Sequence, residues 1–282
     1  MSLEELAPLR EVSARYGLSA RKSLGQNFLL DLNLTGRIAR TAGPLDGVTV
    51  IEIGAGPGGL TRALLTNGAA KVIAIERDER CIAALGEIAE QSPERLEIVV
   101  GDALKTDFST LAPAPSRIVG NLPYNIATAL LTGFVSVEPW PPFFDRLLLM
   151  FQLEVAERIT AVPGSKAYGR LAVLAQWRTR PRLVFTVSPK AFVPAPKVTS
   201  ALVEFTPREA PFACRRETLE KLTAAGFGQR RKMLRSSLKG LGNTAATQKA
   251  LAALDALAIA HTARAESLTV EQFCAIARAI DA

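Results

Sequence analysis

The chain holds a single histidine, His261, and three cysteines, Cys81, Cys214 and Cys274, none in a C-x-x-C pair. A zinc centre has almost no ligands to draw on, so metal catalysis is not expected. An odd, scattered set of thiols argues against a disulfide framework and for reduced thiols in a cytoplasmic protein. Long apolar runs are missing too. No stretch reaches the length of a bilayer span, and the opening MSLEELAPLREVSARYG carries acids without an apolar core, so it does not read as a signal peptide. A soluble intracellular protein is expected. Finally, no Lys-Ser or Lys-Thr pair follows the glycine-rich turn near residue 56, which excludes a phosphate loop of the G-x-x-x-x-G-K-[ST] type.

What is present is ordinary globular composition, 48% apolar and 22% charged over 282 residues, enough for one large domain and a small one. The net charge of +7 is concentrated. Between Pro207 and Leu241 nine basic residues stand against three acids, Glu209, Glu217 and Glu220. Within that segment Gln229-Arg230-Arg231-Lys232-Met233-Leu234-Arg235 is expected to present cations along one helix. Such a run is either a solvated face or a grip on a polyanion.

Val48 to Ile53 is a compact β-branched run that delivers Glu52-Ile53-Gly54-Ala55-Gly56-Pro57-Gly58-Gly59 and then a helical pattern. Strand, glycine turn and helix open a nucleotide-binding α/β unit, because glycines admit a ligand close to the backbone and the helix start offers unpaired N–H groups. A second strand, Lys71 to Ile75, ends in Glu76, placed to accept from ribose hydroxyls. A third, Leu96 to Val100, ends before Asp102. A fourth leads into Asn121. Gly54, Glu76, Asp102 and Asn121 would then share the ligand-binding edge of a parallel sheet.

The fourth strand end reads Asn121-Leu122-Pro123-Tyr124. The Asn121 side-chain oxygen and the Leu122 carbonyl, held outward by the fixed φ of Pro123, can accept the two hydrogens of an exocyclic amine, and Tyr124 offers a flat face for the attached ring. The same four residues also suit a turn capping a strand. A ribose and adenine-like ligand without strong phosphate features fits S-adenosylmethionine better than NAD.

KSLGQNFL, EIGAGPGGLT, GDAL, GNLPYNI, FQLEVAERI, AYGRL, PKVTSA and FGQRRKMLR together cover nearly the whole chain, and with them it resembles the rRNA adenine N6,N6-dimethyltransferase family. The resemblance implies a Rossmann-like, S-adenosylmethionine-dependent methyltransferase sheet over residues 1–206 and a small all-helical, basic RNA-binding domain over 207–282. It implies methyl transfer to N6 of two adjacent adenosines near the 3′ end of small-subunit (16S) rRNA, with a part in subunit biogenesis. The expected cofactor contacts are Asn27, Leu29, Gly54, Glu76, Asp102 and Asn121. The target adenine is expected at Asn121, Leu122, Pro123 and Tyr124, with Phe192 on the other side of the ring. Arg21, Lys22, Arg230, Arg231, Lys232 and Arg235 are expected to touch RNA, the first two from a lid over residues 21–31. The partner implied is small-subunit rRNA or a 30S precursor, met by a monomer without metal or membrane.

Two departures from the family pattern fall near the adenine pocket, Ala127-Thr128-Ala129 for the usual Ser-Thr-Pro and Phe192-Val193-Pro194-Ala195-Pro196-Lys197 for Phe-Pro-Pro-Pro-Lys. Three other readings carry different signatures. They are a large-subunit rRNA adenine methyltransferase of the antibiotic-resistance type, a non-enzymatic ribosome-assembly factor, and a small-molecule or DNA N-methyltransferase.

Overall fold

The computed structural model describes residues 3–19 and 25–282. Arg21 and Lys22 therefore lie outside the described residues. The elements in chain order are α1 (Leu9–Arg15), β1 (Phe28–Leu29), α2 (Leu32–Thr41), β2 (Thr49–Ile53), α3 (Gly59–Thr66), β3 (Lys71–Glu76), α4 (Glu79–Gln91), β4 (Leu96–Val100), β5 (Ser116–Gly120) and α5 (Tyr124–Phe134). They continue with β6 (Phe144–Gln152), α6 (Leu153–Ile159), α7 (Arg170–Arg178), β7 (Thr179–Val187), β8 (Phe192–Val193), β9 (Ser200–Pro207), α8 (Arg216–Gly228), α9 (Leu234–Ser237), α10 (Thr244–Ala256) and α11 (Val270–Asp281).

Seven strands form one sheet in the order β4-β3-β2-β5-β6-β9-β7. From β4 to β6 neighbouring strands run parallel, and β9 pairs antiparallel with β6. The chain starts the sheet at β2, builds outward to β4 and then returns to add β5 on the other side of β2. The carboxyl ends of β2 and β5 therefore flank the switch point, where open α/β sheets bind ligands. The β-branched runs fill the core: Val50, Ile51, Val72, Ile73, Ile118 and Val119 are all buried. Asp31 and Asp78 cap α2 and α4 by accepting from Asn33 N and Arg80 N.

The chain divides into two compact units. One comprises Met1–Leu130, Pro142–Leu153 and Leu183–Thr206, the other Leu131–Pro141, Glu154–Arg182 and Pro207–Ala282. One division between them falls at 206/207, and the second unit also takes in 131–141 and 154–182. The reason is a shared core: Tyr168, Val173 and Trp177 are buried with Leu219, Leu222, Leu254 and Phe273. Indole N–H groups add to this, Trp177 Nε1 donating to Phe212 O at 2.7 Å and Trp140 Nε1 to Arg208 O at 2.8 Å.

Near the N-terminus α1 begins only after Pro8, because the residue before a proline is driven out of helical backbone. One local expectation needs correction. The cations of 229–235 do not follow one helix. α8 ends at Gly228, Gln229 leaves helical backbone at φ −132°, ψ 62°, and α9 opens after an extended Met233 at φ −67°, ψ 153°. Two glycines, Gly226 and Gly228, weaken the end of α8. The turn that follows is held by Arg230, whose Nη2 donates to the carbonyls of Lys166 and Tyr168 at 3.0 Å each.

Candidate active site

The carboxyl ends of β2, β3, β4 and β5 open onto one cavity of about 960 Å³, its open mouth included, with Gly54, Glu76, Asp102 and Asn121 all on its lining. Gln26, Asn27 and Phe28 close one side, and Leu122, Pro123, Tyr124 and Asn125 another.

The glycine turn is shaped by what surrounds it. Gly54, Gly56 and Gly58 have φ of +72°, +55° and +86°, backbone that a side chain strains. The Phe28 ring lies where a Cβ on Gly56 would come within 3.0 Å of it. Glu76 ties this turn to β3: its Oε2 accepts from Gly56 N at 2.8 Å, and its Oε1 accepts from Arg77 N at 2.8 Å and Asp78 N at 2.9 Å. A carboxylate has about four acceptor positions, so one is left on Oε2 for a ligand hydroxyl. Asp102 Oδ1 accepts from Leu104 N at 3.0 Å, and Oδ2 lies 3.6 Å from the Arg77 guanidinium.

Gly120 ends β5, and a Cβ there would meet Leu122 Cδ2 at 2.7 Å and the Ile53 carbonyl oxygen at 3.2 Å. Leu122 is buried and anchors the turn, and the Pro123 carbonyl starts α5 by accepting from Ile126 N and Ala127 N. Between them the Asn121 amide is oriented: Nδ2 donates to the Asn27 carbonyl at 2.9 Å, which leaves Oδ1 as the acceptor end. Tyr124 is half-buried on the cavity wall, with its hydroxyl 2.6 Å from Ser200 Oγ. Burial pushes its phenol above the ordinary value, so the ring stays neutral.

Beneath the glycine turn lies Glu52, fully buried, its Oε2 accepting from Thr61 Oγ1 at 2.6 Å. Burial pushes this carboxyl from an ordinary value near 4.5 up to about 8, the Thr61 hydrogen bond acting in the opposite sense. The folded chain therefore keeps a proton that the unfolded chain has lost between those two values. Stability from this group is complete below about pH 4.5 and falls as pH rises toward about 8. Glu52→Gln keeps the shape without the charge. Its stability relative to the parent is expected to rise across that window by up to about 5 kcal/mol. Urea unfolding at pH 5 and pH 8 checks this, and a stability difference independent of pH would show that Glu52 is ionised at both.

The structure thus brings Asn27, Gly54, Glu76, Asp102, Asn121, Leu122, Pro123 and Tyr124 together around one cavity. It places two expected residues elsewhere. Leu29 and Phe192 face each other across the antiparallel β1–β8 pair, and both side chains are buried in the core of the first unit. Gln26, Phe28, Arg77 and Asn125 also line the cavity and were not singled out from sequence. Their signal was adjacency, since each sits within or beside a motif already marked. Asp78 fixes Gln26 there, accepting from Gln26 Nε2 at 2.9 Å, and Arg80 holds the Asp78 carboxyl down at about 2.

Among the described residues no group of three or more His, Cys, Asp or Glu could hold a metal ion, and no helix is long and apolar enough to cross a membrane.

A parallel sheet with an antiparallel β9 inserted before β7, a glycine turn and acids at successive strand ends define the Rossmann-like methyltransferase class. Similarity narrows the class. The chain belongs to the ribosomal RNA adenine dimethylase family, whose model matches residues 17–282. It is 61% identical over 277 residues to ribosomal RNA small subunit methyltransferase A of Xanthobacter autotrophicus, covering 98% of this chain and 94% of the relative. To the protein of the same name from Rhodopseudomonas palustris it is 62% identical over 277 residues, covering 98% and 95%. Among solved structures, a dimethyladenosine transferase from Plasmodium falciparum matches with a TM-score of 0.74 at 28% identity, over 86% of this chain and 93% of that one. The 23S rRNA methyltransferase ErmE matches with a TM-score of 0.69 at 28% identity, over 91% and 100%.

Proposed function

We propose that the chain transfers methyl groups from S-adenosylmethionine to N6 of two adjacent adenosines near the 3′ end of small-subunit rRNA, in the cytoplasm where subunits are assembled. The observation that carries this reading is the oriented Asn121 amide, with Oδ1 as its acceptor end, on the same cavity as Glu76, Asp102 and the glycine turn. Full-length relatives about 60% identical and named for the small subunit favour that substrate over the large-subunit one.

Asn27, Gly54, Glu76, Asp102 and Asn121 would hold the cofactor, with Leu29 contributing backbone at most. Bound there, it supplies an electrophilic methyl group. The chain's own part is positioning. Asn121 Oδ1 and the Leu122 carbonyl accept the two N6 hydrogens, which turns the nitrogen lone pair out of the ring plane. Tyr124 supports the ring face. Phe192, buried in this state, would need to swing outward to complete a sandwich around it. Orientation and exclusion of water supply most of the rate, and the proton leaves to water because a methylated, positively charged amine is acidic. The target base must leave its stack to enter, so selectivity rests on RNA shape.

The second unit supplies affinity. Arg231, Lys232 and Arg235 are exposed in and after the turn that Arg230 braces, a disposition suited to phosphate contacts without sequence preference. Arg21 and Lys22 belong to the same reading.

Primer extension on both rRNAs, after incubation of unmethylated ribosomal subunits with enzyme and S-adenosylmethionine, tests the assignment. Stops are expected at two adjacent adenosines of the small-subunit RNA. Stops in the large-subunit RNA alone would overturn it.

A further inference from the structure

Ser200 is the first residue of β9 and pairs in register with Gln152, the last residue of β6. The sheet therefore fixes its position. It has no exposed surface, and its Oγ lies 2.6 Å from the hydroxyl of Tyr124. Tyr124 opens α5 and lines the cavity on the side where Asn121 presents its amide. A tyrosine ring held at its Cα end alone can still swing about two side-chain torsions. Held also at its far end by a group locked into a sheet, the ring can no longer swing about the first of them, while the hydroxyl oxygen lies on the axis of the second. A buried hydroxyl without a partner is costly, so each of these two hydroxyls keeps the other in place.

We infer that Ser200 is a positioning residue for methyl transfer: through the Tyr124 hydroxyl it fixes the direction in which the ring projects into the cavity, and so the place where the target base stacks. It touches neither base nor cofactor. This inference rests on the proposed reading of the cavity and extends it to a residue 76 positions away in sequence. It also explains a choice that stacking alone leaves open, since phenylalanine stacks as well as tyrosine but cannot be anchored this way.

A double-mutant cycle over Ser200→Ala and Tyr124→Phe tests the inference, read both as kcat for methyl transfer and as midpoint of urea unfolding. Ser200→Ala is expected to lower kcat about tenfold, the order of one hydrogen bond lost from positioning, with equilibrium S-adenosylmethionine affinity unchanged. In the Tyr124→Phe background the same Ser200→Ala change is expected to alter kcat by less than about twofold. The unfolding midpoints should show the same coupling, which reports the bond whether or not RNA is methylated. Equal fold losses in both backgrounds, with a wild-type enzyme that transfers methyl groups, would overturn the role of Ser200 and leave the reading of the cavity standing. A wild-type protein that is folded and binds cofactor, yet transfers nothing to unmethylated small subunits, would overturn that reading and the inference with it.

Discussion

Asn121→Ala is expected to lower the rate of methyl transfer by about 10²–10³-fold while leaving the protein folded, the loss typical of removing one preorganised polar group from a reacting centre. The side chain is oriented before any substrate arrives: its Nδ2 donates to the Asn27 carbonyl at 2.9 Å, and only one end of the amide can do so. Oδ1 is thereby committed as an acceptor without reorganisation at the moment of reaction. Asn121→Asp should not rescue, because a carboxylate has no hydrogen for the Asn27 carbonyl and would turn away from it. Single-turnover rates with saturating cofactor, beside a direct measurement of cofactor affinity, separate loss of chemistry from loss of binding. A wild-type rate in Asn121→Ala with cofactor bound would remove this residue from the mechanism.

Gly58→Ala is expected to damage the glycine turn by more than its backbone strain alone. Gly58 has φ +86°, where a side chain costs on the order of 1 kcal/mol. A Cβ there would come within 2.2 Å of Ile88 Cδ1 and 3.1 Å of Leu85 Cδ2. Both neighbours are buried on α4, so they have little room to yield, and overpacking of this kind costs about 1–3 kcal/mol more. Gly47 supplies the control: its φ is +73°, yet a Cβ there meets nothing within 4 Å. Urea unfolding should show Gly58→Ala losing roughly 2–4 kcal/mol and Gly47→Ala about 1. Equal losses at the two positions would mean that backbone strain alone shapes the turn.

The parallel half of the fold was legible because its signals are local. The runs at 49–53, 71–76 and 96–100 are β-branched and end at Gly54, Glu76 and just before Asp102, so strand and ligand edge are read together. The capping box of α11, Thr269 with Gln272, is equally local. What escaped depends on partners distant in the chain. The burial of Phe192 in this state depends on its pairing with Leu29, more than 160 residues earlier. The reach of the helical unit back to 154–182 is decided by which side chains bury Trp177. The break after Gly228 is braced by carbonyls at Lys166 and Tyr168. Ser200 reads in sequence as an ordinary strand residue. Its meaning comes from Tyr124.

The central claim is that the Asn121 end of the cavity performs chemistry on the N6 of rRNA adenines. Transfer of isotopically labelled methyl from S-adenosylmethionine to small ribosomal subunits lacking adenine methylation, followed by digestion to nucleosides, tests it most directly. Labelled N6,N6-dimethyladenosine formed by the wild-type chain and not by Asn121→Ala is the expected result. Label in a different nucleoside, or no transfer by a chain that demonstrably binds the cofactor, would contradict it.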